Sequence, residues 1–156
     1  MSQPLLSTGD IAPDFQLASV TGSNFQFYEA LGHSAVVLFF YVQNFTPICT
    51  AEVCSFRDHV ADFRHLNAQV YGISPGSESL TRRFAEYHKL PFPLLLDRDG
   101  YVRKLYRVPK LLGFLPGRST YVIAQDKQIL QITGADLVSK LHITESLKFL
   151  RGERGA

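Results

Sequence analysis

Long hydrophobic runs are scarce in this 156-residue chain. The longest unbroken apolar stretch is Ala35 to Val42, eight residues, whereas a membrane-crossing helix needs about 20. No membrane span is expected. Cysteine is equally sparse: Cys49 and Cys54 are two residues, too few for the disulfide framework of a small secreted domain. The opening Met1-Ser2-Gln3-Pro4 has neither the basic region nor the apolar stretch of a secretory signal. Charge of one sign is missing too. Sixteen Lys+Arg against fourteen Asp+Glu leave a net +2, with the basic residues scattered, so a nucleic-acid partner is not expected. Internal repeats, linkers and low-complexity stretches are absent. What is present, 46% hydrophobic and 19% charged residues, excludes a disordered chain. A chain of this length buries about 68–70% of its extended surface and folds without staples. The expectation is one cytoplasmic domain over residues 1–156, a mature organellar form remaining open.

Pro, Gly and Asn punctuate the chain at short intervals, as in a compact mixed fold. Phe15 to Val20 and Phe25 to Tyr28 flank Thr21-Gly22-Ser23-Asn24 and predict a hairpin. Ala35 to Val42 is apolar at every position, the pattern of a strand covered on both faces. Val53, Phe56, Val60 and Phe63 then recur at helical spacing. Gln69 to Ser74 predicts a second buried strand, Ser77 to Lys89 a second helix, and Phe92 to Leu96 a third strand closed by a turn at Asp97-Arg98-Asp99-Gly100. Ser119 to Ala124 pairs with Gln128 to Thr133, and a final amphipathic helix covers roughly Leu137 to Leu150. Alternating strands and helices followed by a hairpin and helix give an α/β fold with a central mixed sheet flanked by helices.

The chemistry concentrates where the central strand runs out, at Asn44-Phe45-Thr46-Pro47-Ile48-Cys49-Thr50-Ala51-Glu52. Thr46 is a natural N-cap, and Pro47 suits the first helical position, where a missing N–H costs nothing. Cys49 then falls in the first turn, where free backbone N–H groups and the positive helix end favour a thiolate. With a thiol pKa near 8.5, only about 3% is ionised at pH 7; a pKa near 6 raises this to roughly 90%. The competing reading makes Cys49 a small core hydrophobe. Cys54 lies five residues on. In an intact helix that is about 7.5 Å of rise and 140° of rotation, or about 8.6 Å between Cα atoms. A disulfide needs roughly 4.4–6.8 Å, so either the two sulfurs never meet or the first turn unwinds. The spacing is not the Cys-x-x-Cys of dithiol exchange. Cys49, Cys54, His59 and His65 would point at about 0°, 140°, 280° and 160° around one helix, which does not close a zinc tetrahedron. A Cys–His hydrolase stays open in principle, although none of the five histidines sits in a local signature.

Phe39-Phe40-Tyr41, Thr46 to Glu52 and Cys54-Ser55-Phe56-Arg57-Asp58 resemble the active-site stretch of the peroxiredoxins, nearest to the bacterioferritin-comigratory-protein or Q-type branch. The similarity runs from about Leu5 to Leu150 and includes Lys89 to Leu95, Asp97 to Gly100 and Gly117 to Ile123. It implies a thioredoxin-like fold with an N-terminal hairpin, and thiol-dependent reduction of hydrogen peroxide and organic hydroperoxides. Position by position, Cys49 corresponds to the peroxidatic cysteine and Cys54 to the resolving one. Thr46 and Arg118 complete the peroxide pocket, and Glu52 orients Arg118. The chemistry agrees with these assignments. A threonine hydroxyl both accepts and donates a hydrogen bond to the peroxide, and a permanent guanidinium charge supports a thiolate and the charge spreading over the O–O bond. The resulting sulfenic acid would condense with Cys54, and thioredoxin or a similar dithiol would reduce the disulfide. A site built from one tuned thiolate needs no metal or organic cofactor, and the chain is expected to be a monomer or weak dimer. In the blander reading Thr46 is only a cap, and Arg118 and Glu52 form a surface ion pair worth under about 1 kcal/mol.

Two positions depart from the family pattern. Val42 stands where a proline is usual and Ile48 where a glycine is usual. The first bears on rate and peroxide selectivity, and the second narrows or greases the pocket mouth, which would favour organic hydroperoxides. Leu111, Leu112, Phe114 and Leu115, between Pro109 and Pro116, form either a core-capping loop or a docking patch beside the site. Two alternatives to the two-cysteine peroxidase stay open: a one-cysteine peroxidase with Cys54 as a bystander, and a slow redox sensor or holdase.

Overall fold

The computed structural model describes residues 6–41, 47–108, 119–133 and 150, with the backbone alone at 47–49 and 52. Seven strands form one mixed sheet in the order β2-β1-β5-β4-β3-β6-β7. They are β1 (Gln16–Ser19), β2 (Asn24–Gln26), β3 (Ala35–Phe40), β4 (Ala68–Ser74), β5 (Leu94–Leu96), β6 (Ser119–Ile123) and β7 (Ile129–Thr133). β3, β4 and β5 run parallel, while the β1–β2 hairpin on one side and β6–β7 on the other are antiparallel. The helices are α1 (Phe27–Leu31), α2 (Pro47–Asp58), α3 (Val60–His65), α4 (Glu78–Tyr87) and α5 (Tyr101–Leu105).

The apolar run of β3 explains its central place. Val37, Phe39 and Tyr41 point into one core layer with Val53, Phe56, Phe63 and Phe84; Val36, Leu38 and Phe40 point into the other with Phe27, Tyr106 and Tyr121. Both sheet faces are covered, so no alternation of polar residues is needed along β3.

Three local features differ from the sequence expectation. The helical spacing from Val53 to Phe63 is shared by two helices rather than one. At the junction His59 Nδ1 donates to the Ser55 carbonyl at 2.9 Å, the acceptor its own N–H would use in a continuous helix, and that N–H turns to Phe56 at 3.2 Å. The apolar face survives the break, since Phe56 and Phe63 stack at 5.8 Å. The second strand of the first hairpin is shorter than expected because Phe27 and Tyr28 open α1, capped by the Gln26 side chain at Tyr28 N (3.1 Å) and Glu29 N (3.4 Å). The turn at Asp97–Gly100 is also the entry to α5. Gly100 takes a left-handed φ of 74°, and the buried Asp97 carboxylate accepts from the Val102 and Arg103 amides at 3.0 and 2.9 Å. Asp97→Ala leaves both amides without that acceptor and is expected to cost about 1.5–3 kcal/mol in urea unfolding. A loss below about 0.5 kcal/mol would mean that solvent replaces the carboxylate. The final helix and the Leu111–Leu115 loop expected from sequence lie outside the described residues, apart from Leu150, which packs against the layer holding Phe39 and Phe56.

Candidate active site

β3 delivers the chain to one end of the sheet, and α2 starts there with Pro47 as its first residue, as the capping pattern predicted. Cys49 is therefore the third residue of a twelve-residue helix, within the turn whose N–H groups have no partner inside the helix. Cys54 lies in the same helix, so the intact-helix separation of about 8.6 Å between their Cα atoms applies. The Cys54 thiol is free and half-buried. Glu52 occupies α2 between the two cysteines. Thr46 and Arg118 lie outside the described residues; Ser119, next after Arg118 in the chain, pairs with Phe40 at the end of β3.

What anchors α2 is aromatic. Val53 and Phe56 are fully buried, and the Phe56 ring lies parallel to Phe39 of β3 with centroids 4.4 Å apart and planes 7° apart. Phe39 also meets the edge of Phe92 at 5.7 Å. Among the described residues this anchor lies in the middle of the helix, one residue to either side of Cys54 and Ser55.

Sequence reading missed three residues around this helix. His88, at the C-terminal end of α4, places Nδ1 3.5 Å from Cys54 Sγ. Arg57 donates from Nη1 to the His88 carbonyl at 3.0 Å and from Nε to Asp58 at 2.9 Å, stitching α2 to α4. On the other side of the β3 exit, Arg103 donates from Nη2 to the Tyr41 carbonyl at 2.8 Å and lies over the Phe40 ring at 5.8 Å, which fixes where the chain leaves the sheet. Arg57 lies in the stretch that carries the family resemblance without a role being read for it, and no local motif marks His88 or Arg103. Thirty-four residues separate Cys54 from His88, and only the parallel crossovers bring them together.

The electrostatics around Cys54 are mixed. Burial pushes its thiol above the ordinary range, the Arg57 charge pulls it down, and Asp58 pushes it up again. Burial and then Arg57 hold His88 below the usual imidazole range, so the ring is neutral near pH 7 and able to accept a proton.

The AhpC/TSA family model matches residues 8–132, a span containing both cysteines. The chloroplastic peroxiredoxin Q of Arabidopsis thaliana is 39% identical over 147 residues, 94% of this chain and 68% of the relative. The crystal structure of the peroxidoxin BcpB from Mycobacterium tuberculosis superposes with a TM-score of 0.86 at 36% identity, covering 95% of this chain and 98% of that one. A yeast mitochondrial 1-Cys peroxiredoxin, whose thiol is resolved via glutathione and thioredoxin systems, superposes with a TM-score of 0.75 at 26% identity, over 96% and 79% of the two chains. No helix among the described residues is long and apolar enough to cross a membrane. With a thioredoxin-like sheet, a cysteine-bearing helix following its central strand and a family match through both, the chain belongs to the AhpC/TSA family and is a thiol peroxidase of the peroxiredoxin Q kind.

Proposed function

We propose that the protein reduces hydrogen peroxide and organic hydroperoxides in a two-cysteine cycle. The Cys49 thiolate attacks one peroxide oxygen and the other leaves as hydroxide or alkoxide, giving the Cys49 sulfenic acid. Thr46 orients the peroxide, Arg118 carries the charge spreading over the O–O bond, and Glu52 steadies Arg118. Cys54 then condenses with the sulfenic acid, water leaves, and thioredoxin or a similar dithiol reopens the disulfide by exchange. The cycle needs a compartment that keeps dithiols reduced, as the cytoplasm does.

The observation that supports this reading is the position of both cysteines on α2, one in the first turn and one in the aromatic-anchored middle. Unwinding the first turn brings Cys49 to Cys54 without dismantling the Phe39–Phe56 stack. The same helix favours a second reading, since about 8.6 Å between Cα atoms forbids a disulfide while it stays whole. That reading is a one-cysteine cycle, with an external thiol resolving Cys49 as in the yeast relative.

Intact mass after one equivalent of hydrogen peroxide, under denaturing and thiol-blocked conditions, separates the two. The two-cysteine cycle predicts a loss of about 2 Da with no thiol left to block. A gain of about 16 or 32 Da would establish the one-cysteine cycle, and two unreacted thiols would end the peroxidase assignment of Cys49.

A further inference from the structure

We propose that His88 is the catalytic base of the resolving step: its Nδ1 takes the proton from Cys54 Sγ as that sulfur attacks the sulfenic sulfur of Cys49. The inference rests on the reading of Cys54 as the resolving cysteine. Its carrier is the 3.5 Å contact between Nδ1 and Sγ, made by a histidine 34 residues away on another helix.

The contact is held from several sides. The His88 ring meets Phe84 and Tyr87 edge-on at 4.8 and 4.9 Å, and its backbone N–H caps α4 by donating to the Phe84 carbonyl at 3.1 Å. Arg57, one turn beyond Cys54, holds the His88 carbonyl at 3.0 Å. The Cys54–His88 pair therefore sits on the anchored part of α2, and unwinding of the first turn brings Cys49 to it without breaking it.

Chemistry supplies the need. Resolution requires a thiolate, and burial works against one at Cys54, with Arg57 opposing and Asp58 adding to that effect. The titratable and charged groups against His88 among the described residues include Cys54 and Arg57 of α2, with Asp58 behind Arg57, and Tyr87 of its own helix; burial and Arg57 hold the imidazole below its ordinary range. Neutral Nδ1 accepts the S–H proton. The Cys54–Cys49 S–S bond forms as the Cys49 S–O bond breaks, and the departing hydroxide takes the proton back from the imidazolium as water. One sulfenic acid and one thiol become one disulfide and one water, the hydroperoxide having already supplied the oxidation.

Rapid-quench mass spectrometry on the full chain tests this, because it times Cys49 oxidation and disulfide formation separately. In His88→Gln the oxidation rate is expected to stay within about twofold, while disulfide formation slows about 100-fold at pH 7. The gap closes at high pH, where hydroxide ionises Cys54 unaided. In the unaltered protein disulfide formation falls as pH drops through a group titrating below the ordinary histidine value of about 6.5, and that limb vanishes in His88→Gln. Equal disulfide rates and an unchanged pH profile in His88→Gln would overturn the inference while leaving the two-cysteine cycle intact. Absence of any disulfide in the unaltered protein would remove the cycle itself, and the role of His88 with it.

Discussion

Cys49→Ser is expected to abolish hydroperoxide turnover, whereas Cys54→Ser retains one oxidation per chain and then stalls. The difference follows from where the two residues stand on α2. Cys49 is third in the helix, where free N–H groups and the helix dipole lower the energy of an anion. Serine there keeps the position and loses the chemistry, because a hydroxyl is not ionised at neutral pH and its oxygen is a poor partner for peroxide oxygen. Cys54, in the anchored middle of the helix, meets burial rather than a helix end, and burial pushes its thiol up. In the proposed cycle it is therefore the sulfur that waits for Cys49 rather than the one that attacks peroxide first. Peroxide consumption followed over the first turnover and then at steady state, with excess dithiol, checks both variants. Full steady turnover by Cys54→Ser with a bulk dithiol would show external resolution, and residual turnover by Cys49→Ser would move the peroxidatic role elsewhere.

The legible parts of this molecule were those written in contiguous residues. The apolar run from Ala35 to Val42 declares a strand buried on both faces, which forms over Ala35–Phe40, and Pro47 opens α2 because proline suits a helix's first position. The short helices were hidden for a physical reason. α1 has five residues and a glutamine cap, so Phe27 and Tyr28 looked like the end of a strand, and α5 begins inside a turn whose Asp97 reads equally well as turn or cap. The split at His59 depends on one imidazole competing for a carbonyl, which leaves no mark on the hydrophobic spacing. Of the proposed site residues, Cys49 and Thr46 rest on capping logic and family resemblance, and Cys54, Glu52 and Arg118 on the resemblance alone; Thr46 and Arg118 lie outside the described residues. His88, Arg57 and Arg103 act through contacts between distant segments, and no spacing rule reaches across 34 residues or from α5 to the end of β3.

Gly72→Ala is expected to destabilise the fold by about 1–3 kcal/mol, and Gly72→Val by more, out of a total near 5–15 kcal/mol. Gly72 lies in β4 between Phe39 of β3 and Leu94 of β5. A Cβ there would stand 2.6 Å from Phe39 Cζ and 2.7 Å from Leu94 Cδ2, inside any allowed contact. The glycine is thus a close-approach residue, the meaning a lone glycine within a strand commonly carries. Phe39 has little freedom to retreat, because its face is stacked on Phe56 and its flank is closed by Phe92. The added methyl group therefore pushes on the ring that anchors α2, and with it on the helix bearing both cysteines. Shortening the ring should relieve the part of the clash that falls on Phe39, leaving the part that falls on Leu94 Cδ2. In a Phe39→Leu background, where the Cζ position is vacated, Gly72→Ala should cost at least about 1 kcal/mol less than in the unaltered chain, a coupling within the range for residues in contact. Urea midpoints of the four proteins measure this directly. If Gly72→Ala costs the same in both backgrounds, the Phe39 ring is not what the methyl group strikes, and the anchoring of α2 does not run through this glycine.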